Sequence, residues 1–334
     1  MTPTLAIDTI EDGAGLESLA PEWSTLWAAI PAASPFQRPE WALAWWRHFR
    51  PGRLRAIAVR EDGRLVGLAP LWHESGELGE RLLPVGIGVG DILDILAEPQ
   101  RRSPVLAAIA DAIGRMPGWS AFDAPDCRPG SSLAALPAPV GSVPARAPGE
   151  TTPALDLTGP ADPDGLPLRI PAPWRRNLRR ARRLAGEAGT MRIERREADP
   201  AGFLGVLEAL HGSRWRERGE AGVLADPRVI AFQREALAGL AAAGLARLAV
   251  LAIDGRPAGA YYGLRTVGRA YAYIGGFDPA FAAVSPGTIL LGDAIAAARA
   301  EGLEVFDFLR GAEAYKYRWG AVDAPALHLT WRRP

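Results

Sequence analysis

The residues best suited to chemistry lie close together near the end of the chain, in the run Phe306-Asp307-Phe308-Leu309-Arg310-Gly311-Ala312-Glu313-Ala314-Tyr315-Lys316-Tyr317-Arg318-Trp319-Gly320. Lys316 is the single lysine among 38 basic residues; all the others are arginine. An ammonium is a compact point charge and a guanidinium a planar fork, so a lysine kept where arginine is otherwise universal marks a place that needs the former. Moving an acyl group requires a base for the attacking amine or hydroxyl, a donor for the tetrahedral oxyanion and an acid for the departing group. Asp307 or Glu313 can be the base, Lys316 and Arg318 can stabilise negative charge, and Tyr315, Tyr271 or Tyr273 can be the acid. The same string also reads as a structural clasp with Trp319 packed inside, and spacing alone leaves both readings open.

A second constellation precedes it. Tyr271-Ala272-Tyr273-Ile274-Gly275-Gly276-Phe277 is followed by a loop and then by Ser285-Pro286-Gly287-Thr288, which opens a helix. Amides bared by a glycine at a helix start, backed by the helix dipole, form an anion site suited to a pyrophosphate, although a well-capped helix explains the same four residues. Further upstream, residues 169–196 hold ten arginines, Arg175, Arg176, Arg179 and Arg182 among them, against Glu187 and Glu194. Such an excess points to an anionic partner: a nucleotide diphosphate, a glycan or a nucleic acid backbone. The segment has few aromatics to interleave with bases, so base reading is not expected. Arg214 and Arg218 close the next helix, where cations also complement the dipole, and His211 reads as a packing residue.

Two similar halves must position these groups. Ala56–Ala69 and Leu248–Tyr261 each read as strand, Asp-Gly turn, strand. Ser103-Pro104 followed by Asp111-Ala112-Ile113 recurs as Ser285-Pro286 followed at equal spacing by Asp293-Ala294-Ile295, and Phe122-Asp123 and Phe306-Asp307 close the copies. Both copies read as a helix with serine at the cap and proline first inside, then a short strand. Val105 stands where Gly287 stands, and its branched side chain would crowd a phosphate, so the donor site is expected in the second copy. Twelve of the thirty prolines fall in 125–173, within which Ala154–Leu157 reads as a strand closing the first half. A boundary near 160 gives modules 1–160 and 161–334. The second reads helix, helix, helix, hairpin, strand, helix, strand: an α/β chain with mixed, largely antiparallel sheets.

Composition narrows the rest. Zero formal net charge removes any global pull toward nucleic acid or anionic membranes. A lone cysteine, Cys127, and four scattered histidines exclude disulfide frameworks and cysteine-histidine zinc sites, and no metal is expected. No leader or membrane-spanning stretch is apparent, so the expected setting is the cytoplasm without membrane insertion.

Taken in order, Phe36-Gln37-Arg38-Pro39-Glu40-Trp41, Leu68-Ala69-Pro70-Leu71, the arginine helix, Arg214-Trp215, Gly276-Phe277-Asp278-Pro279, Ser285-Pro286-Gly287 and Asp307-Phe308-Leu309-Arg310-Gly311 with Glu313 and Tyr315-Lys316 resemble the CelD/BcsL-type acetyltransferases of the GNAT superfamily. That family is similar in turn to FemAB-like proteins, which implies two tandem GNAT-like modules packed side by side, the first degenerate and the second carrying the site. The resemblance implies acyl transfer from acetyl-CoA or another acyl-CoA to an amine or hydroxyl of a small molecule or glycan, in envelope or exopolysaccharide synthesis. Ala283-Val284-Ser285-Pro286-Gly287-Thr288 stands where ordinary members carry a Gln/Arg-x-x-Gly-x-Gly/Ala loop. A FemAB-like enzyme would take its acyl group from aminoacyl-tRNA, and a non-catalytic accessory protein would bind an anionic glycan or nucleotide sugar through the arginines.

Overall fold

Each Asp-Gly pair closes a hairpin because both of its residues adopt positive φ: Asp62 and Gly63 at 49° and 79°, Asp254 and Gly255 at 48° and 76°. This is the turn whose twist matches that of the flanking strands. The computed structural model of the chain describes residues 5–217 and 222–334, and the side chains of 213–217 fall outside what it describes.

The correspondence between the halves continues past the turns. Four residues beyond each turn glycine the strand carries another glycine, and a helix lies against it. A Cβ on Gly67 would sit 2.2 Å from Val105 Cγ1, and one on Gly259 would sit 2.9 Å from Pro286 Cβ. In each half the helix, Arg102–Arg115 or Pro286–Ala300, leads into a strand that pairs in parallel with an earlier one, Ala121–Cys127 with Gly79–Pro84 and Val305–Asp307 with Arg269–Phe277. The helix starts differ, however. Ser285 caps its helix with Pro286 first inside, whereas the first-half helix begins at Arg102, so Ser103 and Pro104 lie within its first turn and Ser103 is not the cap.

The compact units are the described residues up to Thr151 together with Pro325–Pro334, and Thr152–Ala324. The last ten residues, which a boundary near 160 assigns to the second module, thus pack with the first unit. Leu327–Arg332 lies between Ala121–Cys127 and Val143–Pro148, antiparallel to both. Its Leu329 and Trp331 are buried in that unit's core, and Trp331 stacks on Phe122 with ring centroids 4.9 Å apart. Removing residues 325–334 therefore opens the middle of a sheet; we expect the first unit to lose its cooperative transition in denaturant, measured by tryptophan fluorescence.

Conversely, Ala154–Asp156 does not close the first half. It pairs with Val305–Asp307 at the edge of the second unit's sheet, because Leu155 buries its side chain in that core. Across this sheet the strands run Ala154–Asp156, Val305–Asp307, Arg269–Phe277, Arg256–Thr266, Ala246–Ile253 and Met191–Arg195. The last is an addition to the sequence reading; Met-Arg-Ile-Glu-Arg is too polar to announce an edge strand by its pattern. The arginine helix, Ala172–Ala188, buries Leu178, Ala181 and Ala185. It meets the crossover helix Pro286–Ala300 at Gly292, where a Cβ would lie 2.5 Å from Leu178. Tyr261 and Tyr262, neighbours on one strand, point to opposite faces of the sheet. Tyr261 joins the core shared with these two helices, and Tyr262 packs edge-on against Phe203 of the helix Pro200–Glu217.

Candidate active site

The cleft arises where two parallel strands part. Arg269–Phe277 is hydrogen-bonded to Val305–Asp307 only through Tyr271, opposite Asp307. Beyond that point the ladder ends, and residues 272–277 border a cavity of about 300 Å³. On the strand's other side the register slips between Tyr262 and Gly263, which face Ile274 and Ala272, so Tyr273 is an extra residue in a bulge. Trp174 of the arginine helix, Gly287, Thr288 and Leu290 of the crossover helix, and Tyr315 and Arg318 of the short helix Ala314–Arg318 complete the wall.

The crossover helix presents its N-terminus here. Ser285, at φ 54° and ψ 61°, turns the chain into the helix without a side-chain cap bond. Its carbonyl accepts from the Thr288 amide at 3.0 Å. Pro286 has no amide hydrogen, and a Cβ built on Gly287 would meet nothing within 4 Å. The start of a fifteen-residue helix, with its dipole, therefore opens onto the cavity at Gly287. Arg318 lies over the Trp174 ring at 5.5 Å, and Trp174 stands edge-on to Trp319 at 5.8 Å. The Trp174 indole N–H is buried without an acceptor among the described residues.

The other expected site residues are placed differently. Lys316 is buried, and its ammonium donates to the carbonyls of Leu309, Arg310 and Gly311 at 3.1, 2.6 and 3.0 Å and pairs with Glu313 at 2.8 Å. It does not line the cavity, although its helical neighbours Tyr315 and Arg318 do. Asp307 is fully buried; its carboxylate accepts from the Leu309 amide and from Arg269, both at 2.9 Å. Leu309 sits at φ 59°, a costly conformation for a branched residue, held from one side by Asp307 and from the other by Lys316. Tyr271 is buried with its hydroxyl 3.1 Å from Thr266. Tyr273 borders the cavity, and its hydroxyl accepts from Gln233 at 2.8 Å. Tyr315 is 40% exposed. No carboxylate is among the lining residues.

Glu313 has a titration consequence. Burial works against its charged form, but the hydrogen bond from Lys316, its own backbone amide and the attraction of the ammonium outweigh this and hold the carboxyl below its ordinary 4.5. A carboxyl lowered on folding contributes stability above the unfolded-state value, and this is lost as pH falls through the lower folded-state value. Thermal denaturation below pH 4.5 is expected to show this acid limb, and Glu313→Gln to flatten it.

The arginine helix is less bare than a count within 169–196 suggests, because the preceding loop brings acids to it. Arg175 and Arg179 reach Asp162 at 3.3 and 3.0 Å, and Arg179 and Arg182 reach Asp164 at 2.7 and 3.5 Å. Arg176 and Arg180 meet no carboxylate among the described residues. Arg218 and the Arg214 side chain lie outside the described residues. Among the described residues no three His, Cys, Asp or Glu side chains gather to hold a metal, and no helix is long and apolar enough to cross a membrane. Sequence reasoning singled out the run 271–277 but missed the part of the wall that Trp174 forms.

Residues 174–317, which carry the arginine helix, the parting strands and the cavity, match the family model of an acetyltransferase (GNAT) domain. No sequence among curated proteins matches the chain. Among solved structures the fold is similar to FemX, with a TM-score of 0.66 at 14% identity over 93% of this chain and 95% of that one. It is also similar to a C-terminal domain from Agrobacterium fabrum assigned to a lysylphosphatidylglycerol synthetase, with 0.59 at 13% over 96% and 92%. A tandem GNAT protein from the clavulanic acid biosynthesis pathway gives 0.52 at 17% over 98% and 99%. At such identities the likeness is one of fold, and it bears out a mixed α/β chain of two GNAT-like modules.

Proposed function

We propose that the protein transfers an acyl group from acetyl-CoA or another acyl-CoA to an amine or hydroxyl, in the second unit. The observation that carries this reading is the parting of Arg269–Phe277 from Val305–Asp307 beside the open helix start at Gly287. The cleft suits the donor: the strand segment 272–277 that borders the cavity, for a pantetheine arm, and the Ser285–Thr288 turn, with the Gly287 amide foremost, for its pyrophosphate. Arg318 offsets phosphate charge at the rim. In the transfer the acceptor nitrogen or oxygen attacks the thioester carbonyl and the C–S bond breaks. The departing thiolate takes the Tyr315 phenolic proton, the proton of the attacking group passes to solvent, and solvent returns a proton to the Tyr315 phenolate. Among the tyrosines considered as acid, Tyr315 is the one that is both exposed and on the cavity wall.

Lys316, Asp307 and Glu313 act in this reading as positioning residues. They fasten the 307–316 loop so that Tyr315 and Arg318 face the cavity, which answers why an ammonium stands at 316: three carbonyls converge on one point, and a planar fork cannot meet them. The CelD/BcsL-type likeness suggests a small-molecule or glycan acceptor from envelope or exopolysaccharide synthesis. Thiol release from acetyl-CoA with amino sugars and polyamines as acceptors is the expected result, and no release with any acceptor, together with no CoA binding, counts against the reading.

A second reading keeps the fold and changes the donor to aminoacyl-tRNA, as FemAB-like proteins imply. Arg176 and Arg180, which meet no carboxylate among the described residues and lie on one helix face, favour it. It requires tRNA binding that weakens steeply with salt.

A further inference from the structure

A second cavity of about 330 Å³ lies beneath the same crossover helix. Its floor is apolar: Leu264 and Ala270 from the sheet, Ala294, Ala297 and Ala298 from the helix, and Phe306 from the last strand. Its rim is charged and in part closed on itself, with Arg195 and Glu197 bordering it as well. Arg247 and Arg265 both hold Glu301, at 2.9 and 2.8 Å. The first cavity meets the helix over residues 287–291 and the second over 294–301, so the two follow each other along successive turns of one helix.

One side chain, Tyr261, borders both. Its ring lies along its own strand over Gly263, where a Cβ would come within 2.4 Å of the Tyr261 hydroxyl, and it is 7% exposed. The hydroxyl's acceptor, the Tyr271 carbonyl, is 3.5 Å away, at the outer limit of a hydrogen bond. The ring is therefore held by packing and by the missing side chain at 263. Burial also pushes its phenol well above the ordinary tyrosine range, so it stays neutral.

We propose that Tyr261 is a specificity-determining plug that restricts the transferred group to a short acyl chain, and that the alanine-floored cavity behind it is the space a longer linear acyl chain would enter. The proposal rests on the acyl-donor reading above: with the pyrophosphate at Gly287, the thioester end of the donor runs along the first cavity toward Tyr261. An alkyl chain suits the floor, since each methylene removed from water is worth about fourfold in affinity.

The test is calorimetric binding of acetyl-, butyryl-, hexanoyl- and octanoyl-CoA to the wild type, Tyr261→Phe and Tyr261→Ala, with Tyr261→Leu in place of the alanine variant should that fail to fold. The wild type and Tyr261→Phe are expected to gain nothing beyond butyryl-CoA, whereas Tyr261→Ala or Tyr261→Leu gains at least tenfold from butyryl- to octanoyl-CoA. Wild-type affinity that climbs steadily to octanoyl-CoA, or a small-residue variant that shows no gain, overturns the plug. N-octanoylcysteamine, which has no nucleotide, is run alongside. Should no CoA thioester bind any variant, the acyl-CoA reading fails by itself, and this probe decides the plug: binding confined to the small-residue variant upholds it, and equal or no binding overturns it.

Discussion

Gly287→Val is expected to abolish donor binding while leaving the fold as stable as before. The substitution installs the residue type that the sequence repeat sets opposite Gly287, Val105. At 287 the new side chain meets no protein atom within 4 Å and projects into the space where a phosphate would approach the helix start. Hydrogen bonds from amides to a charged oxygen are worth about 1.5–3 kcal/mol each, and losing the approach to the turn costs about 100-fold in affinity for CoA. Helix propensity moves the other way, since valine is favoured over glycine inside a helix by a few tenths of a kcal/mol. Calorimetry with CoA and thermal denaturation on the same sample separate the two effects. Unchanged CoA affinity would remove the helix start from the site.

Lys316→Met is expected to destabilise the second unit and to abolish activity together. The substitution leaves the carbonyls of Leu309, Arg310 and Gly311 without their common donor and Glu313 without its cation. Glu313 is largely exposed, so the cost lies in the buried carbonyls left without a donor, about 1–3 kcal/mol each. For a unit of this size that corresponds to a fall in Tm on the order of 10 °C. With the loop released, Tyr315 and Arg318 lose their fixed approach to the cavity. Lys316→Arg keeps the charge but not the point-like geometry and is expected to fall between the wild type and Lys316→Met in both readouts. If Lys316 instead acts on the substrate, both variants lose kcat with no change in Tm, and that split is what the paired measurement reads.

The sequence disclosed the duplication and most of the second unit, because those features are set locally. The Asp-Gly turns need positive φ wherever they occur, and Ser285-Pro286 does open a helix. What stayed hidden depends on partners distant in the chain. Nothing in Leu327–Arg332 says that this strand returns to the first unit, since its alternation would suit any half-buried sheet position. The acids that neutralise the arginine helix lie just outside the window in which its charge was counted. Lys316 illustrates the same limit: its rarity marked a position that needs an ammonium, and only the converging carbonyls show that the need lies in the loop. The candidate site was legible as a set of residue types, while the division between those that face the cavity and those that hold the loop required coordinates.

The most direct test of the central claim is a crystal structure of the protein with CoA. The account predicts pyrophosphate density at the Gly287 amide, with the pantetheine arm lying along residues 272–277 and its sulfur near Tyr315. Density for the nucleotide elsewhere on the second unit, or a cleft that stays empty at saturating CoA, would contradict it.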